Sequence, residues 1–224
     1  MKIGVGGCSH SFHGWGNPWH YYMGKKLNSE IISSSSRGGG NEMNLEKIKF
    51  ILDNHKIDFF VYQVTEPSRL VVGNNNWNPG EGLHNPTFFN EVSYQTFNCA
   101  GDMSEKSDIE KFFKETLVPS KYNTDYKIFH TMMSMNQLCD FYGVKIYFFS
   151  WFVDLHEMAK KSNYDGIIGK LNVVKGYVND FVTKNKISPI SGDCHFDSDG
   201  HRIIYEQFIH PQLQDLIYKQ KKLF

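Results

Sequence analysis

The feature that most constrains this chain is the alternation of short apolar runs with helical stretches. Lys2 to Gly7 reads as a short buried strand bounded by glycines, and Glu30 to Ser35 as a second strand. Asp58 to Val64 is apolar and aromatic throughout, and Val144 to Trp151 has the same character. Continuous apolar runs of that length suit strands covered on both faces. Between them, Trp19 to Leu27 reads as a helix with Pro18 near its start. Asn41 to Asn54 places Met43, Leu45, Ile48, Ile51 and Leu52 roughly on one helical face. Ser107 to Thr116 and Asp125 to Tyr142 look helical, and Tyr164 to Val182 helical in part. Asp199 to Tyr218 carries Ile203, Ile204, Phe208, Leu213 and Ile217 at helical spacing.

This order predicts an α/β fold, a mostly parallel sheet with helices on both faces. No internal repeat or linker divides the chain, so residues 1–224 are expected to form a single domain. A loop-rich excursion is expected at about 73–104, where Asn74-Asn75-Asn76 and Asn78-Pro79-Gly80 are loop signals.

Charge narrows the function classes. Lys plus Arg and Asp plus Glu number 24 each, so the basic excess of a nucleic-acid binder is missing. Cys8, Cys99, Cys139 and Cys194 are widely spaced with no paired motif, which argues against a structural zinc site or a disulfide framework. No export signal is visible at the start, and the apolar run Ile146 to Val153 is too short to span a bilayer. The expectation is a cytoplasmic protein without a membrane partner; carriage on a particle or release by lysis would leave no trace here.

On parallel sheets ligands bind beyond the carboxyl ends of the strands, so the loops after the first three strands are the places to look. The first is Gly6-Gly7-Cys8-Ser9-His10-Ser11. Glycines let the backbone bend sharply and present Ser9 at the sheet edge. A serine hydroxyl is a poor nucleophile until a base removes its proton, so a partner histidine is required. The alternative for Ser9 is a turn serine that caps a helix. The partner comes from Asp193-Cys194-His195-Phe196-Asp197-Ser198-Asp199-Gly200-His201, just before the last helix. Asp193 can hold one ring nitrogen of His195 and leave the other for Ser9. Asp199 or Ser198 is expected to cap the helix that follows. The acidic cluster does not match the spacing of a calcium-binding loop, so no metal or other cofactor is expected.

These motifs resemble the SGNH/GDSL hydrolases. Gly7-Cys8-Ser9 is similar to the family's Gly-Asp-Ser block, with Cys8 in place of the aspartate. Gly38 in Ser36-Arg37-Gly38-Gly39-Gly40-Asn41 resembles the second block, which Asn41 usually follows. Asp193-Cys194-His195 resembles the short form of the last block, and Gly200-His201 before an apolar helix is similar to the family's ending. The resemblance runs in order through nearly the whole chain. It implies a flavodoxin-like three-layer α/β/α sandwich and acyl transfer on esters, including O-acetyl groups of carbohydrate. Small esters or acylated sugars are the implied partners, with Ser9, His195 and Asp193 as the triad. The third block departs from the pattern. Where the family supplies an asparagine that donates to the oxyanion, this chain has Gln63-Val64-Thr65-Glu66-Pro67. Thr65 falls at the asparagine position and Gln63 is the nearest side-chain amide. The backbone amides of Ser9 and Gly38, with Thr65 or Gln63, are the expected oxyanion donors, and Asn41 lies beside them.

Other residues carry weaker signals. His10, His13 and His20 cluster with Trp15 and Trp19; His10 and Trp15 are candidates to line the pocket, and His10 stands close enough to Ser9 to compete as base. Asp154 and His156 offer a second acid–base pair or a plain helix start. Two further readings stay open. In one the altered third block leaves a non-catalytic protein of the same fold that binds a glycan or a partner protein. In the other the chain is an accessory part of a larger particle.

Overall fold

The computed structural model describes residues 1–11, 16–35, 40–65, 69–74, 93–98, 121–190 and 195–221. Five strands form one sheet: β1 (Lys2–Gly6), β2 (Glu30–Ser33), β3 (Phe59–Val64), β6 (Lys145–Ser150) and β7 (Asn172–Val173). Their spatial order is β2-β1-β3-β6-β7 and every pairing is parallel. The chain steps outward from β1 to β2 and then returns to the other side of β1 as β3. That reversal opens a crevice at the carboxyl ends of β1 and β3.

Alternate side chains of the strands feed two cores, one on each face. On one face Phe60, Tyr62, Val64, Ile146 and Phe148 pack with α2 (Asn41–Asn54) and α3 (Lys121–Phe141). In α3 the buried Ile128, Phe129, Met132, Met135 and Cys139 recur at helical spacing, which turns one stripe to the sheet. Burial pushes the Cys139 thiol up to about 12, so it stays protonated. The short helices α4 (Leu155–Lys161) and α5 (Asp165–Ile168) complete that side. On the other face Ile3, Val5, Val61, Tyr147, Phe149 and Trp151 meet α1 (Trp19–Leu27), α6 (Val178–Lys184) and the C-terminal helix.

The C-terminal helix runs as α7 (Ser198–Ile203), a π segment (Ile204–Ile209) and α8 (His210–Lys221). Pro211 supplies a physical reason for the π segment. It has no N–H to donate and its ring crowds the preceding turn, so the ladder shifts and His210 N–H bonds to Tyr205 O. α1 ends differently, at Asn28 in the left-handed conformation (φ 46°), whose N–H bonds back to Gly24 O and Lys25 O.

Tyr164 to Val182 is helical in part, as expected, and also holds β7, a two-residue edge strand that leaves no alternation to read. Strands β4 (Arg69–Asn74) and β5 (Ser93–Asn98) pair antiparallel as a separate ribbon; β4 begins before the excursion expected at about 73–104 and β5 lies within it. The N-cap of α7 is Asp197, whose carboxylate accepts from Gly200 N–H at 2.8 Å, and not Ser198 or Asp199. The helix expected over Ser107 to Thr116 lies outside the described residues.

Candidate active site

The loop after β1 turns at once into a 3-10 turn, Ser9–Ser11, closed by Ser11 N–H to Cys8 O at 2.9 Å. A buried polar network fixes this turn. Ser11 Oγ donates to Gln63 Oε1 (2.6 Å) and accepts from Trp19 Nε1 (2.7 Å), while Gln63 Nε2 donates to Cys8 Sγ (3.1 Å). His20 Nε2 lies 2.8 Å from Ser11 O. A Cβ at Gly7 would stand 2.8 Å from both Gln63 Oε1 and Ser11 Oγ, so only glycine lets the strand end this close to the network. Ser9 itself is buried but for 8 %, and its hydroxyl bonds to no other described residue.

β3 ends beside this turn. Gly6 and Tyr62 are the last pair in register, so the Ser9 turn and Thr65 both lie past the carboxyl end of the paired strands. Asn41, the first residue of α2, ties that end down: its Oδ1 accepts from Tyr62 OH (2.9 Å) and Thr65 N–H (3.0 Å), and its Nδ2 donates to Thr65 O (3.4 Å). The Thr65 hydroxyl is buried and has no hydrogen-bond partner among the described residues. A buried hydroxyl left unpaired is costly, so this one calls for an explanation.

The C-terminal segment arrives from the other side. Ser198 Oγ accepts from Asn17 N–H (3.0 Å), which pins the start of α7 to the first loop, and Ile190 N–H bonds to His195 O (2.8 Å). The His195 ring reaches His10, with centroids 4.6 Å apart. His10 in turn stacks on Trp151, just past β6, at 4.3 Å and 12°. His195, far from Ser9 in sequence, therefore packs against the residue next to Ser9. Trp151 also touches Phe196 and His201. Burial, and then the charge of His195, hold His201 down at about 4, against a smaller opposing pull from Asp197.

The structure thus brings Ser9, His10, Thr65, Asn41, Gln63 and His195 to one edge. Asp193, Gly38, Trp15 and His13 lie outside the described residues. Gln63 needs a change of role: fully buried and held by Cys8 and Ser11, it is a strut beneath the loop and not a donor facing substrate. Asp154 caps α4, accepting from His156 N–H and Glu157 N–H, so it starts a helix. Trp151 and Ser11 went unread in the sequence. Trp151 closes an apolar run and looked like core, and Ser11 carries no motif of its own. Among the described residues no cluster of His, Cys, Asp or Glu is arranged to hold a metal ion, and no helix is long and apolar enough to cross a membrane.

No family model matches the chain. No curated protein matches it either. Solved structures do. A member of the lipolytic protein G-D-S-L family from Veillonella parvula superposes with TM-score 0.52 at 10 % identity, over 97 % of this chain and 98 % of that one. The esterase EstA from Pseudoalteromonas sp., in a structure inhibited by monoethylphosphonate, gives 0.54 at 10 % identity over 99 % and 98 %. TesA gives 0.53 at 11 % over 96 % and 99 %. At such identity the likeness shows the fold alone, an α/β fold on a mostly parallel sheet shared with these lipolytic and esterase structures.

Proposed function

We propose that the chain is a serine-dependent ester hydrolase in which Ser9 attacks the acyl carbon, His195 takes its proton and Asp193 orients His195. The observation that carries this reading is the convergence of the Ser9 turn and the His195 ring at the carboxyl edge, bridged by His10. The Ser9–His195 hydrogen bond would close when substrate fills the site, as catalytic bonds often tighten only then. The backbone amides of Ser9 and Gly38 would face the developing oxyanion. The Thr65 hydroxyl, unpaired among the described residues, is suited to be the third donor. Small acyl esters, including O-acetylated sugars, are the substrate class that this reading favours. Structural neighbours carry esterase and lipolytic names, which supports ester chemistry over amide chemistry.

One observation favours a second reading. Gln63 is committed to the loop and Thr65 is fully enclosed, so the third block differs in substance from an exposed amide donor. On that reading the fold binds a glycan or a partner protein without turnover. Labelling by a fluorophosphonate probe decides between them. The hydrolase reading expects labelling of the native protein, none in Ser9→Ala, and turnover of p-nitrophenyl acetate or an acetylated sugar. A folded protein that neither labels nor hydrolyses these esters overturns it.

A further inference from the structure

His10 is the ring that links Trp151 to His195. It lies almost parallel to the indole, centroids 4.3 Å apart, and the His195 ring packs against it at 4.6 Å and 31°. Phe152 meets His10 edge-on at 5.5 Å, so the ring is held from more than one side. His10 is 2 % exposed and Trp151 fully buried, and Trp151 is braced by Phe196 and His201. A polar ring placed next to the nucleophile and buried this completely is placed by packing, not left in solvent.

We propose that His10 is a positioning residue for His195: its face fixes the plane of the His195 imidazole and stabilises the imidazolium that forms during acyl transfer. The inference rests on the serine-hydrolase reading. As Ser9 Oγ bonds to the acyl carbon, its O–H bond breaks and the proton passes to His195. When the ester C–O bond then breaks, the leaving alcohol takes that proton and His195 is neutral again. Water repeats the same two transfers to release the acid. In each half-reaction the positive charge on His195 is transient and lies against an aromatic face backed by an indole. Attraction between a cation and a desolvated aromatic face corresponds to about 3- to 30-fold in rate. Because the charge exists only along the reaction path, the effect falls on kcat and leaves KM alone.

The test uses the full chain and a p-nitrophenyl ester. His10→Leu removes the aromatic face and should lower kcat about 3- to 30-fold with KM and melting temperature little changed. His10→Phe restores the face without any ionisable nitrogen and should recover kcat to within about threefold of the native value. In the NMR spectrum the His195 ring protons should move when the stacked ring is replaced in His10→Leu, and His10→Phe should keep the upfield ring-current shift. Native kcat in His10→Leu, or a collapse in His10→Phe as deep as in His195→Ala, overturns the proposal; the second outcome would make His10 the base. If the native protein neither labels nor hydrolyses esters, the serine reading fails and this inference with it. If labelling proceeds normally in His10→Leu, the inference fails alone.

Discussion

Ser11 Oγ donates to Gln63 Oε1 across 2.6 Å with both residues fully buried, and that bond locks the turn carrying Ser9 onto β3. Ser11 also accepts from Trp19 Nε1, so one hydroxyl joins the turn, the central sheet and α1. Ser11→Ala would leave the Gln63 carbonyl and the Trp19 N–H unpaired inside the protein. Each orphan costs about 1–3 kcal/mol, so the variant should lose about 2–4 kcal/mol of unfolding free energy. Urea unfolding measures this directly. A loss under about 0.5 kcal/mol, the ordinary range for surface substitutions, would mean the network is not what holds the turn.

The two glycines of β1 face the α2–α3 core, where a side chain would collide with the next strand. A Cβ on Gly4 would fall 2.2 Å from Phe60 Cδ2, and one on Gly6 would fall 2.8 Å from Tyr62 Cδ2. Phe60 and Tyr62 are themselves fully buried, so neither can swing clear. Gly4→Ala should therefore destabilise by at least about 2 kcal/mol through overpacking. Gly166, in α5, has nothing within 4 Å of an added Cβ. Gly166→Ala should stabilise by about 0.5–1 kcal/mol by limiting the unfolded chain. Opposite signs for one and the same substitution, read in thermal or urea unfolding, test the packing of β1 without touching the site.

Much of this could be read from the residues, and the rest failed for identifiable reasons. The long apolar runs at β3 and β6 and the helical spacing of Asn41–Asn54 announced themselves, because buried strands and amphipathic helices write their burial into the sequence. β7 has two residues and β4 and β5 sit in a segment without clear periodicity, so no local pattern marked them. In the candidate site, Ser9 and His195 drew attention because the chemistry proposed for them demands a flanking pattern. The strut role of Gln63 was not. An amide in a buried strand reads the same whether it faces a substrate or a neighbouring loop, and only Cys8 and Ser11 on either end of it decide the matter. Trp151 shows the same limit, since nothing in an apolar run tells which ring will carry a histidine.

The Thr65 hydroxyl separates catalysis from folding. It is buried and makes no hydrogen bond with a described residue, so removing it deletes no protein contact among them. Thr65→Val keeps the shape of the side chain and should leave unfolding free energy unchanged or slightly higher. If Thr65 donates to the oxyanion, kcat for a p-nitrophenyl ester should nevertheless fall about 100-fold or more, and Thr65→Ser should keep most of it. A Val variant with native kcat would remove Thr65 from the oxyanion hole and leave that role to the backbone amides.

His201 should make the protein acid-sensitive in a defined window. Its ring is 4 % exposed, and burial with the nearby His195 lowers it from the ordinary 6.5 to about 4 in the folded chain. Between those values the unfolded chain binds a proton at His201 and the folded chain does not. Stability from this group is therefore complete above about pH 6.5 and is lost progressively as pH falls to about 4, below which no more is lost. A shift of that size corresponds to about 3 kcal/mol over the window. His201→Phe fits the same contacts with Trp151 and Phe196 and has nothing to protonate. Urea unfolding between pH 7 and pH 4 should show the native protein losing about 3 kcal/mol more than the variant, with the gap opening as pH falls. Parallel curves for the two proteins would show that His201 takes up its proton as readily folded as unfolded.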